Sequence, residues 1–139
     1  MPQLLSILET ALYVAELDRA ATFYEDVMGL KNVLHADDRM RAYSVNQQSV
    51  LLLFIRGGTT EPVETGGGVI PPHDASGQIH MAFAIAPETL DAWRARLADH
   101  AVTIEGTSDW KRGGHSLYFR DPDGNLLELA TTPGLWKGF

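Results

Sequence analysis

Two stretches of the chain open in the same way. A run of aliphatic, aromatic and β-branched residues passes into a pattern with helical period in ETALYVAELDRAATFYEDVMGL, from Glu9, and again in HMAFAIAPETLDAWRARLADHAV, from His80. Both opening runs have the composition of half-buried strands. In the first, Leu17, Ala20, Ala21, Tyr24 and Met28 form an apolar stripe at helical spacing. Asp18 is the expected N-cap there and Gly29 the expected stop. In the second, Pro87 suits a first helical turn, and Leu90, Trp93, Arg94 and Leu97 line one side. Three more strands are expected after each helix: 32–36, 41–45 and 49–55, then 102–106, 116–120 and 125–130. NQQ and DPDGN mark turns between them, the second a strong hairpin signal.

The chain therefore reads as an internal repeat, each half with the order βαβββ. Setting ETALYV against HMAFAI places Glu9 opposite His80, and setting SVLLLF against NLLELA places Leu52 opposite Glu128. Module one spans about 5–56 and module two about 78–132. Between them, 57–77 is rich in Gly, Pro and small polar residues, too long for a hairpin. It is expected to be a joint and a rim or lid. The tail 133–139 carries Trp136 and Phe139, which would cover a cavity mouth or dock on a partner subunit.

Composition narrows the function classes. A chain of 139 residues, 45% hydrophobic and 21% charged, suits one globular domain with its own core. There are no cysteines, which excludes disulfides, zinc–thiolate sites and a cysteine nucleophile. Their absence fits a reducing, cytoplasmic setting. A net charge of −7 argues against binding to a nucleic-acid backbone. No apolar run has the length of a membrane helix, and the start lacks a basic leader pattern, so neither a membrane span nor a signal peptide is expected.

FYEDVMGL at residues 23–30 and YFRDPDGNLLEL at residues 118–129, in this order around a Gly-rich joint, resemble the vicinal oxygen chelate superfamily. This is the group of glyoxalase I, bleomycin-resistance proteins and extradiol dioxygenases. The resemblance covers nearly the whole chain. It implies an α+β fold in which two tandem βαβββ modules form an open, curled mixed β-sheet cleft with flanking helices. It also implies a divalent metal (Zn, Ni, Mn, Fe or Co) held by first-strand and last-strand residues. Carried onto this chain, those positions are Glu9, His80 and Glu128, while Leu52 at the fourth position cannot bind a metal. A homodimer and a small-molecule substrate with vicinal oxygens are implied as well. The implied chemistry is of isomerase or lyase type with enediolate stabilisation, Glu9 or Glu128 acting as the base. The alternatives are a metal-free drug-sequestering protein and a ring-cleaving dioxygenase.

The residues support that implication on their own, more weakly. Glu9, His80 and Glu128 each interrupt an apolar strand, where side chains alternate between faces. A lone buried carboxylate is costly, and a metal would offset the cost. One imidazole and two carboxylates form a hard donor set. Read singly, His80 is a satisfied core histidine, Glu128 an exposed strand acid, and Glu9 a structural acid. The candidate substrate contacts are His73 in the joint and Trp110, Arg112, His115 and Tyr118 in DWKRGGHSLYF, with Tyr43 and Arg56 weaker. A solvated loop is the plain alternative for each. Asp121 and Asp123 are assigned to the turn, with Gly124 supplying positive φ.

Overall fold

The computed structural model describes residues 1–36 and 38–139. Along the chain run β1 (Glu9–Val14), α1 (Leu17–Thr22), a π-helical turn (Phe23–Val27), β2 (Lys31–Ala36), β3 (Met40–Val45) and β4 (Ser49–Ile55). A short hairpin follows, β5 (Val63–Thr65) with β6 (Gly68–Ile70). Then come β7 (His80–Ile85), a 3₁₀ turn (Pro87–Thr89), α2 (Leu90–Asp99), β8 (Gly106–Asp109), β9 (His115–Arg120) and β10 (Leu126–Thr131). The chain divides into two compact units, Met1–Ser76 and Gly77–Phe139. The fold is mixed α+β with two open four-stranded sheets, as the repeat and the resemblance imply.

Unit one has strand order β1-β4-β3-β2, in which β1 lies parallel to β4 and the rest is antiparallel. Alternation sends Leu12, Val14, Leu51 and Leu53 to one face, where all are buried. α1 packs across β3 and β4 on that side, with Ala20 completely buried, and Tyr24 of the π-helical turn is completely buried as well. Each of these large apolar side chains contributes about 1.5–3 kcal/mol by leaving water. Tyr43 is fully buried on the same face and donates its hydroxyl to Glu25 Oε1 at 2.9 Å. Burial, then that hydrogen bond, pushes its pKa up to about 12.

Unit two repeats the plan, with order β7-β10-β9-β8, β7 parallel to β10. Leu117, Phe119, Leu127 and Leu129 are fully buried on one side of its sheet, and Leu97 of α2 is fully buried as well. The opposite faces of the two sheets carry the candidate chemistry.

Three expectations change. Helix α1 starts at Leu17 with Glu16 at the N-cap, and Asp18 instead meets Arg41 Nη2 at 3.2 Å. An acid one turn-position inside a helix still favours its positive end, so the residue type was informative and the boundary was not. The strand expected over 102–106 lies at Gly106–Asp109. Ala101 at φ 55 and a Val102 N–H donated to the Leu97 carbonyl use up the preceding residues in turning the chain. The joint over 57–77 holds the β5–β6 hairpin, and its first twenty residues belong with unit one.

Candidate functional site

The parallel pairing of β7 with β10 sets Leu126 beside His80 and Glu128 beside Ala82. His80 and Glu128 therefore point to one face, one step apart along neighbouring strands. His80 Nδ1 lies 2.9 Å from the Leu126 carbonyl oxygen. A carbonyl only accepts, so the ring proton sits on Nδ1. Nε2 is then turned to Glu128 Oε2, 3.2 Å away. Two lone pairs at that separation repel unless a cation, either a proton or a metal ion, lies with them. A backbone carbonyl on the far ring nitrogen is the arrangement that orients a metal-binding histidine.

Glu128 is 4% exposed, a carboxylate deep enough to need partners. Oε1 receives the Ser116 hydroxyl at 2.5 Å. Ser116 Oγ in turn accepts from Trp110 Nε1 at 2.8 Å. An indole nitrogen can only donate, which forces Ser116 to pass its own proton toward Glu128. Tyr118 stands opposite Glu128 on β9, with its ring centroid 6.4 Å from that of His80.

The DPDGN turn holds this corner in place. Asp121 Oδ1 accepts from the backbone N–H groups of Asp123 and Asn125 at 3.0 and 2.9 Å. Asn125 Nδ2 donates to Asp121 Oδ2 at 3.0 Å, and Asn125 Oδ1 accepts from the Ile79 N–H at 3.1 Å. The residue before His80 is thus tied to the turn that launches β10. Asp121 and Asn125 are both buried, and Gly124 takes φ 82.

In unit one the ladder sets Glu9 beside Val50 and Ala11 beside Leu52. The equivalence of Glu9 with His80, and of Leu52 with Glu128, is therefore one of position in the sheet as well as of sequence. Glu9 is exposed and shares its face with a cavity of about 650 Å³. Ala11, Leu52, Phe54, Val63 and Ile70 line that cavity, together with His73. Tyr13 lies 2.6 Å from His73 Nδ1 through its hydroxyl, and burial, with Asp74 nearby, raises the pKa of the phenol.

The predicted residues separate into groups. His80, Glu128, Trp110 and Tyr118 come together in unit two, while Glu9 and His73 face the cavity of unit one. Arg112 is exposed in the turn between β8 and β9. His115 is exposed and paired with Asp109 at 2.6 Å. It shares the β9 face of Leu117 and Phe119, whereas Ser116 and Tyr118 share that of Glu128. Tyr43 lies on the helix side of its sheet, Arg56 Nη2 donates to the Tyr13 carbonyl at 3.3 Å, and Trp136 and Phe139 are exposed. Among the described residues no three His, Asp or Glu side chains converge. The donors brought together are two, and these two fit a divalent cation. Ser116 and Asn125 are the residues that sequence reasoning missed. Period two along β9, counted back from Tyr118, identifies Ser116.

Residues 6–129 match the family described as the Glyoxalase/Bleomycin resistance protein/Dioxygenase superfamily. A glutathione transferase, FosA, of Serratia marcescens is 32% identical over 128 residues, covering 89% of this chain and 79% of that protein. A metallothiol transferase, FosB, of Staphylococcus saprophyticus is 29% identical, covering 91% and 76%. The crystal structure of a lactoylglutathione lyase from Agrobacterium tumefaciens aligns with a TM-score of 0.85 at 35% identity, covering 96% of this chain and 97% of that one. No helix among the described residues is long and apolar enough to cross a membrane. With a family match over nearly its whole length and two repeated βαβββ units, the chain belongs to the glyoxalase, bleomycin-resistance and dioxygenase superfamily, the vicinal oxygen chelate group.

Proposed function

We propose that the protein is a metal-dependent enzyme acting on a small substrate with two adjacent oxygens, in isomerase or lyase-type chemistry. One observation carries this reading: His80 Nε2 faces Glu128 Oε2 at 3.2 Å while its Nδ1 is held by the Leu126 carbonyl. His80 and Glu128 are the two fixed donors. Glu9, at the position equivalent to His80, is the proposed third, brought by a second copy of the chain in a homodimer. A divalent cation at these residues would supply Lewis acidity toward the oxygens of the substrate. The residues of the chain do the rest. Ser116 holds Oε1 of Glu128, which keeps that carboxylate oriented. Glu9 is exposed and carries no such restraint from Ser116, so it is the better placed of the two acids to take a proton from substrate. Trp110 and Tyr118 form the wall beside the pair. The similarity to a lyase and to thiol transferases supports a reaction of this kind.

Elemental analysis of gently purified protein tests the reading, with about one divalent metal per chain expected. His80→Ala and Glu128→Gln should each remove the metal while the circular dichroism of the fold is kept. Full metal content in His80→Ala would show that the site is elsewhere. Metal-free wild type that still binds an aromatic drug tightly would favour sequestration.

A further inference from the structure

The tail 133–139 lies against the turn that joins β8 to β9, and together they hold the indole that faces Ser116. Two backbone bonds close the turn. The Trp110 N–H donates to the Gly114 carbonyl, and the Gly113 N–H to the Trp110 carbonyl, both at 2.8 Å. The last residue of the turn is then fixed from outside. The Gly114 N–H donates to the Gly134 carbonyl at 3.1 Å, and a Cβ on Gly134 would lie 2.5 Å from the Gly114 Cα. One residue on, the His115 N–H donates to Thr131 Oγ1 at 2.8 Å, on a threonine that is 1% exposed. The tail also folds back on itself, with the Phe139 N–H donating to the Trp136 carbonyl at 3.1 Å. Two successive residues between Trp110 and Ser116 are thus anchored, one to the tail and one to the end of β10. An indole carried on so restrained a loop keeps its N–H on Ser116 Oγ, 2.8 Å away.

That bond sets a direction. With one lone pair of Oγ taken by the indole, the serine proton goes to Glu128 Oε1. Oε1 is then occupied, and Oε2 alone is offered to His80 and to a cation beside it. We infer that the tail is a positioning element for the Glu128 carboxylate, acting through Gly114 and Trp110, and that Trp110 is a positioning residue that keeps Glu128 a one-oxygen donor. Its effect on a bound cation rests on the reading of a metal at His80 and Glu128. The relay from Gly134 to Glu128 is made by the chain alone. Without the indole the Ser116 hydroxyl is free to rotate, and Oε1 is free to leave it.

Two readouts test this: Co²⁺ binding, followed by its visible absorption, and the Trp110 indole N–H resonance of metal-free protein. Trp110→Phe keeps an aromatic ring and removes the donor. It should weaken Co²⁺ binding about three- to tenfold, the worth of one neutral hydrogen bond. In a Ser116→Ala background the same change should have no effect, since residues acting through one network are not additive. The indole resonance, assigned by its loss in Trp110→Phe, should exchange slowly with solvent in the full chain. Removal of residues 133–139 should speed that exchange about tenfold. Gly134→Ala displaces the same contact and carries the test should the shortened chain fail to fold. Glu128→Ala should shift the resonance from the far end of the relay. Equal loss of affinity from Trp110→Phe in both backgrounds would overturn the inference and leave Trp110 a packing residue. An indole proton indifferent to the tail and to Glu128→Ala would overturn it as well. Wild type that takes up no Co²⁺ would sink the metal reading alone, and indole exchange would still decide whether the tail holds the carboxylate.

Discussion

Ser116 Oγ donates to Glu128 Oε1 at 2.5 Å, so one oxygen of the buried carboxylate is held and the other is left to face His80. Ser116→Ala leaves that charge short of a partner at a site where water cannot readily replace it. The cost should be about 1.5–3 kcal/mol in chemical denaturation, the range for a hydrogen bond to a charged group. Affinity for added Zn²⁺ or Ni²⁺ should fall about 10- to 100-fold, as for the loss of an outer-shell partner. Metal titrations that overlay wild type would show that the hydroxyl does not orient the acid.

Tyr43 gives a prediction at alkaline pH. Its folded pKa is raised to about 12 by burial and by the bond to Glu25, against 10.0 for a free phenol. Between these values the unfolded chain releases the proton and the native protein keeps it. Stability from this group is therefore complete below pH 10 and is lost as pH rises toward about 12. Denaturation midpoints of wild type should fall across that window, and those of Tyr43→Phe should fall less. Equal slopes would remove the assignment.

Gly114 and Gly134 approach so closely that neither has room for a side chain. A Cβ on Gly114 would lie 2.6 Å from the carbonyl carbon of Gly134, and the Gly114 N–H already donates to the Gly134 carbonyl at 3.1 Å. Gly114→Ala should destabilise by about 1–3 kcal/mol through forced displacement of backbone. Gly66→Ala, which meets nothing within 4 Å, serves as the control and should stay within about 0.5 kcal/mol of wild type.

Asn125 links the turn to the strand bearing His80. Asn125→Ala removes the acceptor for the Ile79 N–H and the donor to Asp121. Amide hydrogen exchange at Ile79 and His80 should speed up well beyond that of Leu117 or Leu129. Uniform acceleration across the sheet would mean that the residue supports the whole unit and not this corner.

The repeat was readable because its two first strands and two last strands differ from their surroundings in the same way. The ladders then placed Glu9 with His80 and Leu52 with Glu128. Period two along β9 puts Ser116 on the face of Tyr118, but its pairing with Glu128 depends on the neighbouring strand and has no local signal. His115 shows how fine that dependence is. One step along β9 exchanges the site face for the other. Strand β8, GTSD, has no apolar alternation at all and is held as an edge by its pairing with β9. Its place is a tertiary fact with almost no local signal.

The leucine at position 52, where unit two has Glu128, has a consequence for how such a protein can change. A duplicated module need not keep both copies of a costly buried acid. Once one copy holds the carboxylate and its hydroxyl partner, the other can drift toward any shape. Substitutions at Ala42, Leu52 or Phe54 alter the contour and polarity of one concavity and leave the hydrogen bonds of Glu128 untouched. The polar corner of one unit and the concavity of the other can thus vary on separate halves of the same gene.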